Sequence, residues 1–181
     1  MQKQKFLGLT TRFYAGLALI GVGLNRLLTG EFLSVPIELN WQSAGQAVSA
    51  TGLLIALLWL LVSLNLPFMK RIHKKLEGIQ KLIVSLSFPE IVYLSLCAGI
   101  SEELFFRGVL QPSWGIVIVS FIFGALHAVT FSYFLLATTI GFFLGWLLQY
   151  SGNLMVPMTV HVLYDVFALT LLARLYRNPR F

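Results

Sequence analysis

Two stretches of this chain, 47–66 and 132–150, contain no charged side chain. Each offers about the 20 apolar residues that a helix rising 1.5 Å per residue needs to cross a hydrocarbon core about 30 Å thick. In lipid a backbone must satisfy its own polar groups, so uncharged stretches of this length read as spanning helices. Four more, 13–28, 88–111, 114–130 and 154–173, fit the same length with a few polar interruptions. Composition agrees, because 57% of residues are hydrophobic and 11% charged, whereas a soluble domain carries about 25% charged residues. The expected fold is all-α, a polytopic membrane bundle of about six transmembrane helices forming one membrane-embedded domain over 1–181. Low charge and fifteen Phe argue against a disordered tail, a coiled coil or a nucleic-acid arm. A single cysteine, Cys97, leaves no intramolecular disulfide framework and no Cys-rich metal site.

Eleven of the thirteen Lys and Arg fall in three clusters. Lys3, Lys5 and Arg12 precede the first stretch, Lys70, Arg71, Lys74, Lys75 and Lys81 lie between the second and third, and Arg174, Arg177 and Arg180 follow the last. Six spans put all three clusters on one side, which the positive-inside rule makes cytoplasmic, so both termini are expected in the cytoplasm of a bacterial plasma membrane or an organellar equivalent. The net charge of +6 is thereby a topology signal, and no nucleic-acid partner is expected. The first stretch has the basic flank of a signal peptide but no small-x-small cleavage site, so an uncleaved anchor is expected.

Between the second and third spans, apolar Met69, Ile72, Leu76, Ile79, Ile83 and Leu86 recur in steps of three and four with lysines between them. That spacing predicts an amphipathic helix on the cytoplasmic leaflet, held by anionic lipid heads. In the fifth span, Gly141-Phe-Phe-Leu-Gly145 is a small-xxx-small stripe. It suits close packing of a neighbouring helix within the chain, with a homodimer through the Gly141/Gly145 face as the alternative.

Glu102, Glu103, Arg107, His127, His161 and Asp165 lie well inside predicted spans. A charge at mid-bilayer costs about 2.5–3.5 kcal/mol on insertion scales, so such residues turn to the bundle interior and to one another. Glu103 and Arg107 are four apart on one helical face, the better order for an ion pair, while Glu102 sits about 100° round the helix and is free to face elsewhere. His161 and Asp165 are also four apart, so the carboxylate can orient or hold charge on the imidazole. Counting helical rise from the span ends puts Glu102 about 9 Å, His161 about 10 Å and His127 about 20 Å below the outer boundary.

Glu-Glu-x-x-x-Arg at 102–107, Phe-x-x-x-His at 123–127 and His-x-x-x-Asp at 161–165, in order on successive helices, resemble the motifs of the CPBP intramembrane proteases. These are also called the Abi or CAAX prenyl protease family. The resemblance covers residues 102–165, within a motif-bearing core of 88–173, and implies hydrolysis of a peptide bond in a membrane-associated, sometimes lipidated, substrate. It assigns Glu102 as the general base that activates water, His127 as its positioner, His161 and Asp165 as stabilisers of the oxyanion, and Glu103 with Arg107 as a supporting ion pair. A carboxylate in a low-dielectric pocket suits a general base and imidazole donors suit an oxyanion, so no covalent nucleophile or cofactor is required. Position 165 departs from the commoner Asn of the family, and an ionised Asp would repel an oxyanion. Zinc held by Glu102, His127, His161 and a carboxylate is the alternative donor set, without the His-Glu-x-x-His signature of soluble zinc proteases.

Two other readings compete. A catalytically silent scaffold or immunity protein of the same fold would not need the three motifs intact. A small proton-coupled carrier also uses intramembrane Glu, His and Asp, but would carry an inverted repeat or paired broken helices, which the sequence lacks.

Overall fold

The computed structural model describes residues 2–64, 75 and 81–177. Among them the structure is helical without a strand: α1 (Gln2–Thr29), α2 (Trp41–Ser63), α3 (Phe88–Glu103), a π-helical stretch (Leu104–Leu110), α4 (Gln111–Leu126), α5 (Phe131–Ser151) and α6 (Met155–Arg177). Most of the amphipathic helix expected between α2 and α3 lies outside the described residues; its end, 81–85, is helical.

The helix ends follow from local chemistry. Asn40 caps α2 through a capping box with Ser43, and Ser87 with Glu90 does the same for α3, where Pro89 occupies the first turn and removes no needed donor. Thr130 accepts from the Tyr133 N–H to start α5, and Gly152 at φ 64° ends it in the left-handed region that favours glycine.

Among the described residues five helical runs are long and apolar enough to cross a membrane, and the third of these is Phe88–Leu126. The six expected stretches become five because the third and fourth share this run, and its Gly115, at φ 77° and ψ 162°, breaks the helical path. The ring centroids of Phe106 and Phe123 are 5.2 Å apart, whereas seventeen residues of straight helix would separate them by about 25 Å. The chain therefore doubles back at Gly115, the conformation that glycine adopts without steric cost. Its returning limb, 116–126, is about 16 Å long, half a bilayer, so the expected span 114–130 is too long. Helix stops at Leu126 and resumes at Phe131.

The bundle has two chemically distinct ends. At one, Asn153 holds Glu38 through both backbone groups, at 2.8 and 3.0 Å, and Trp41, Trp114, Trp146 and Tyr150 are exposed. Exposed Trp and Tyr at one level suit a membrane interface. At the other, Lys3 of α1 meets Glu90 of α3 at 3.0 Å, and Arg177 of α6 donates to the Val84 carbonyl at 2.8 Å. The starts of α1 and α3 and the end of α6 thus gather with their basic residues, as the charge clusters require.

Close helix approach depends on small residues. A Cβ on Gly99 would meet Val162 at 2.6 Å from its side chain and 2.9 Å from its backbone nitrogen, where α3 crosses α6. Gly141 and Gly145 are buried against Ser120, Phe123, Gln111 and Ile116. The small-residue stripe is thus used within the chain, against α4, as the first of its two readings expects. Ala47, Ala50 and Leu54 of α2 pack with Leu144 and Leu147 of α5 and Val156 and Val160 of α6.

Candidate active site

Arg107 is fully buried in the π-helical stretch. Its Nη1 donates to Glu103 Oε1 at 2.9 Å, and its Nη2 donates to the Gly141 carbonyl at 3.0 Å. The guanidinium lies 4.6 Å from the centroid of the Phe123 ring, which also lies 4.3 Å from the His127 ring. A buried cation is tolerable only when paired and hydrogen-bonded, and here a carboxylate, a carbonyl and an aromatic face share it. The expected Glu103–Arg107 pair is present, in a π-helical segment of the kind often found at functional sites.

Glu103 does more than pair with Arg107. Its Oε1 lies 2.8 Å from His161 Nδ1. A carboxylate already accepting from a guanidinium can only accept, so Nδ1 carries the proton and Nε2 is turned outwards. The sequence reading gave the orienting role to Asp165, but its Oδ2 is 3.6 Å from His161 Nε2, too long for a hydrogen bond. Asp165 therefore lies beside the outward-facing nitrogen and does not hold the ring.

His127 sits where α4 ends, at φ −97° and ψ 5°. Its Nδ1 is 2.7 Å from the Phe123 carbonyl, an acceptor only, so Nδ1 donates and Nε2 again faces the site. The Phe of the Phe-x-x-x-His motif thus fixes its histidine twice, by carbonyl and by ring.

Glu102 is buried between these groups, with Oε2 3.7 Å from His127 Nε2 and 4.0 Å from His161 Nε2. Among the described residues Oε2 has no hydrogen-bond partner. Separations of this length are those one water molecule bridges. Tyr14, half-buried on α1, lies close enough to Glu102 to sense its charge. Tyr133 of α5 and Tyr164 of α6 stand close enough to Asp165 to sense its charge. Sequence reasoning missed these tyrosines, since a Tyr in an apolar span carries no motif.

All six sequence-predicted residues therefore meet in one place. Rise-counting put Glu102 about 10 Å too shallow because it ended the third span at a bilayer's thickness. From Phe88 to the turn at Gly115 the chain rises about 40 Å, so Glu102 lies about as far below the turn as His127 does. Among the described residues no group of three or more His, Cys, Asp or Glu is arranged to hold a metal ion; the candidate donors are Glu102, His127, His161 and Asp165. Ser101 is buried and Cys97 half-buried.

Residues 84–167 match the family described as type II CAAX prenyl endopeptidase, Rce1-like. Over this segment the chain is similar to the Rce1-like family. The Rce1-like segment contains all six site residues and excludes α1 and α2. The chain is also 46% identical over 99 residues to the uncharacterized protein YpbD of Bacillus subtilis (strain 168), covering 50% of this chain and 51% of that protein. It thus spans about half the length of the curated relative it matches. No solved structure matches the chain. The Rce1-like match bears out the resemblance drawn from Glu-Glu-x-x-x-Arg, Phe-x-x-x-His and His-x-x-x-Asp.

Proposed function

We propose that the protein is an intramembrane endopeptidase of the CAAX type, cleaving a peptide bond of a membrane-associated substrate with water activated by Glu102 and without a metal. The observation that carries this reading is the approach of Glu102 Oε2 to both outward-facing histidine nitrogens. Two acceptors facing each other across such a gap share a donor, and a water can give one hydrogen to Glu102 and the other to His127 Nε2.

In this scheme Glu102 takes a proton as the water oxygen bonds to the scissile carbonyl carbon. His161, held through Nδ1 by Glu103, presents Nε2 to the oxyanion and donates to it when doubly protonated. The C–N bond then breaks, and the proton on Glu102 passes to the leaving nitrogen. Burial keeps these groups in a low dielectric, where fixed donors act most strongly.

Water reaches the site beneath the α4–α5 turn. Residues 127–130 are non-helical, and irregular backbone at membrane depth is tolerated only when buried or lining water. His127 and Asp165 are the partly exposed members of the site, so the opening faces the end of the bundle that carries Lys3 and Arg177. Its apolar surroundings, among them Phe105, Phe106, Phe123, Phe142 and Phe143, suit a lipidated or transmembrane peptide.

The test is cleavage of a fluorogenic CAAX-type peptide and a library of membrane peptides by detergent-purified protein, read by mass spectrometry with and without chelator. The reading expects defined cleavage that survives chelation. Chelator-sensitive cleavage restored by zinc would overturn its metal-free part, and no cleavage of either set by folded protein would favour the scaffold.

A further inference from the structure

The Glu103–Arg107 pair reaches His161 directly, through Glu103 Oε1, and a second line of contacts leads from its cation to the other imidazole. We infer that Arg107 is a positioning residue for His127, acting through the ring of Phe123, which rests on the reading of His127 as the residue that places the water. One buried ion pair then sets both imidazoles.

Arg107 is itself held from two elements. Its Nη1 donates to Glu103 Oε1 at 2.9 Å, and its Nη2 donates to the Gly141 carbonyl of α5 at 3.0 Å. One turn on, Gln111 Nε2 donates to the Gly145 carbonyl at 2.9 Å. Both of these bonds to α5 join residues 34 positions apart, so together they fix the register of the π-helical stretch on α5. All four residues are buried, where no water replaces a bond given up. Arg107 Nε has no hydrogen-bond partner among the described residues, which leaves an aromatic face as the remaining compensation for the cation.

Phe123 supplies that face and touches the site as well. Its ring centroid is 4.6 Å from the guanidinium carbon and 4.3 Å from the His127 ring, 31° from parallel. Phe106 stands edge-on to it at 5.2 Å, and a Cβ on Gly141 would come within 3.4 Å of its Cδ1, so neighbours in the π-helical stretch and on α5 confine the ring. His127 ends α4 and is partly exposed. The bond from its Nδ1 to the Phe123 carbonyl fixes one atom of the imidazole, and a ring held at one atom can still roll about it. A flat partner against the imidazole takes up that freedom and keeps Nε2 3.7 Å from Glu102 Oε2. Arg107 stands apart from the water and the scissile bond in this arrangement, and its effect on His127 passes through Phe123.

The experiment introduces Arg107→Lys into two backgrounds, wild type and Phe123→Leu, and reads the histidine ring carbons of the labelled chain by NMR in detergent. The chain has three histidines, so His127→Ala and His161→Ala assign the signals. Lysine keeps a charge for Glu103 but has no planar fork to lie on the ring. Arg107→Lys is expected to move the His127 and His161 signals where Phe123 is present and the His161 signal alone in Phe123→Leu, a coupling that disappears with its intermediary. A His127 signal that stays in place in a folded Arg107→Lys overturns the inference, as does one that moves equally in both backgrounds. If Arg107→Lys does not fold, the order of the His127 ring from carbon relaxation decides: it is expected to fall in Phe123→Leu and to hold in Phe123→Tyr, which keeps the ring, and unchanged order in Phe123→Leu overturns the inference. In cleavage, Phe123→Leu is expected to lower kcat about 10- to 100-fold with KM unchanged, the loss that follows a displaced group. Should wild type cleave nothing, the catalytic reading of His127 fails while the ring signals still report the coupling, so the two failures are distinguishable.

Discussion

Glu103 and His161, 58 residues apart, share a 2.8 Å contact between carboxylate Oε1 and ring Nδ1, and the same oxygen accepts from Arg107. One buried carboxylate thus does two jobs: it neutralises the guanidinium and sets the direction of the imidazole. The pair separates stability from activity in a way that mutation can read.

Glu103→Ala leaves Arg107 buried without its partner and is expected to destabilise the protein by about 3–5 kcal/mol. Replacing both residues, Glu103→Ala with Arg107→Leu, removes the stranded charge and recovers much of that loss. Cleavage does not recover, because His161 has lost its anchor. Thermal unfolding in detergent beside cleavage rates checks this, and recovery of both would mean that Glu103 serves the ion pair alone.

Asp165→Asn is expected to fold normally and to cleave at least as fast as wild type. Asp165 makes no hydrogen bond to His161 at 3.6 Å, so its charge is not needed to hold the ring, and a neutral amide can donate to an oxyanion where a carboxylate repels it. Asp165→Ala, which offers no donor, is expected to be slower. An Asn variant slower than the Ala variant contradicts this assignment.

Gly99→Ala places a methyl group against Val162 at the α3–α6 crossing, and overpacking of this kind costs about 1–3 kcal/mol. The companion Val162→Ala removes the nearer clash, at the side chain, but not the one at the backbone nitrogen 2.9 Å away. Only part of the loss in thermal stability is therefore expected to return. Full recovery would show that the helices have room to shift.

The helical bundle and the site residues were legible in the sequence because lipid penalises charge: six ionisable or imidazole side chains inside apolar spans had to face one another. The half-length return of α4 was hidden, since hydropathy counts apolar residues and not where a glycine turns them. Gly115 lies one residue past the Trp114 at which the fourth stretch began, and only its backbone angles show a reversal. The anchoring of His161 by Glu103 was hidden for another reason. Helical spacing relates residues three and four apart, so it offered Asp165, on the same helix, and could not offer a carboxylate on another.

The central claim is that Glu102 activates the water that cleaves the peptide bond. The most direct measurement is the cleavage rate of Glu102→Gln beside wild type, with both shown to be folded by the same thermal transition and His127→Ala run in parallel. Gln keeps the shape of the side chain but cannot take a proton, so the account predicts a fall in kcat of at least about 100-fold, the lower end of what a general base supplies. A folded Glu102→Gln that cleaves at the wild-type rate would contradict the account and leave Glu102 a structural residue of the bundle.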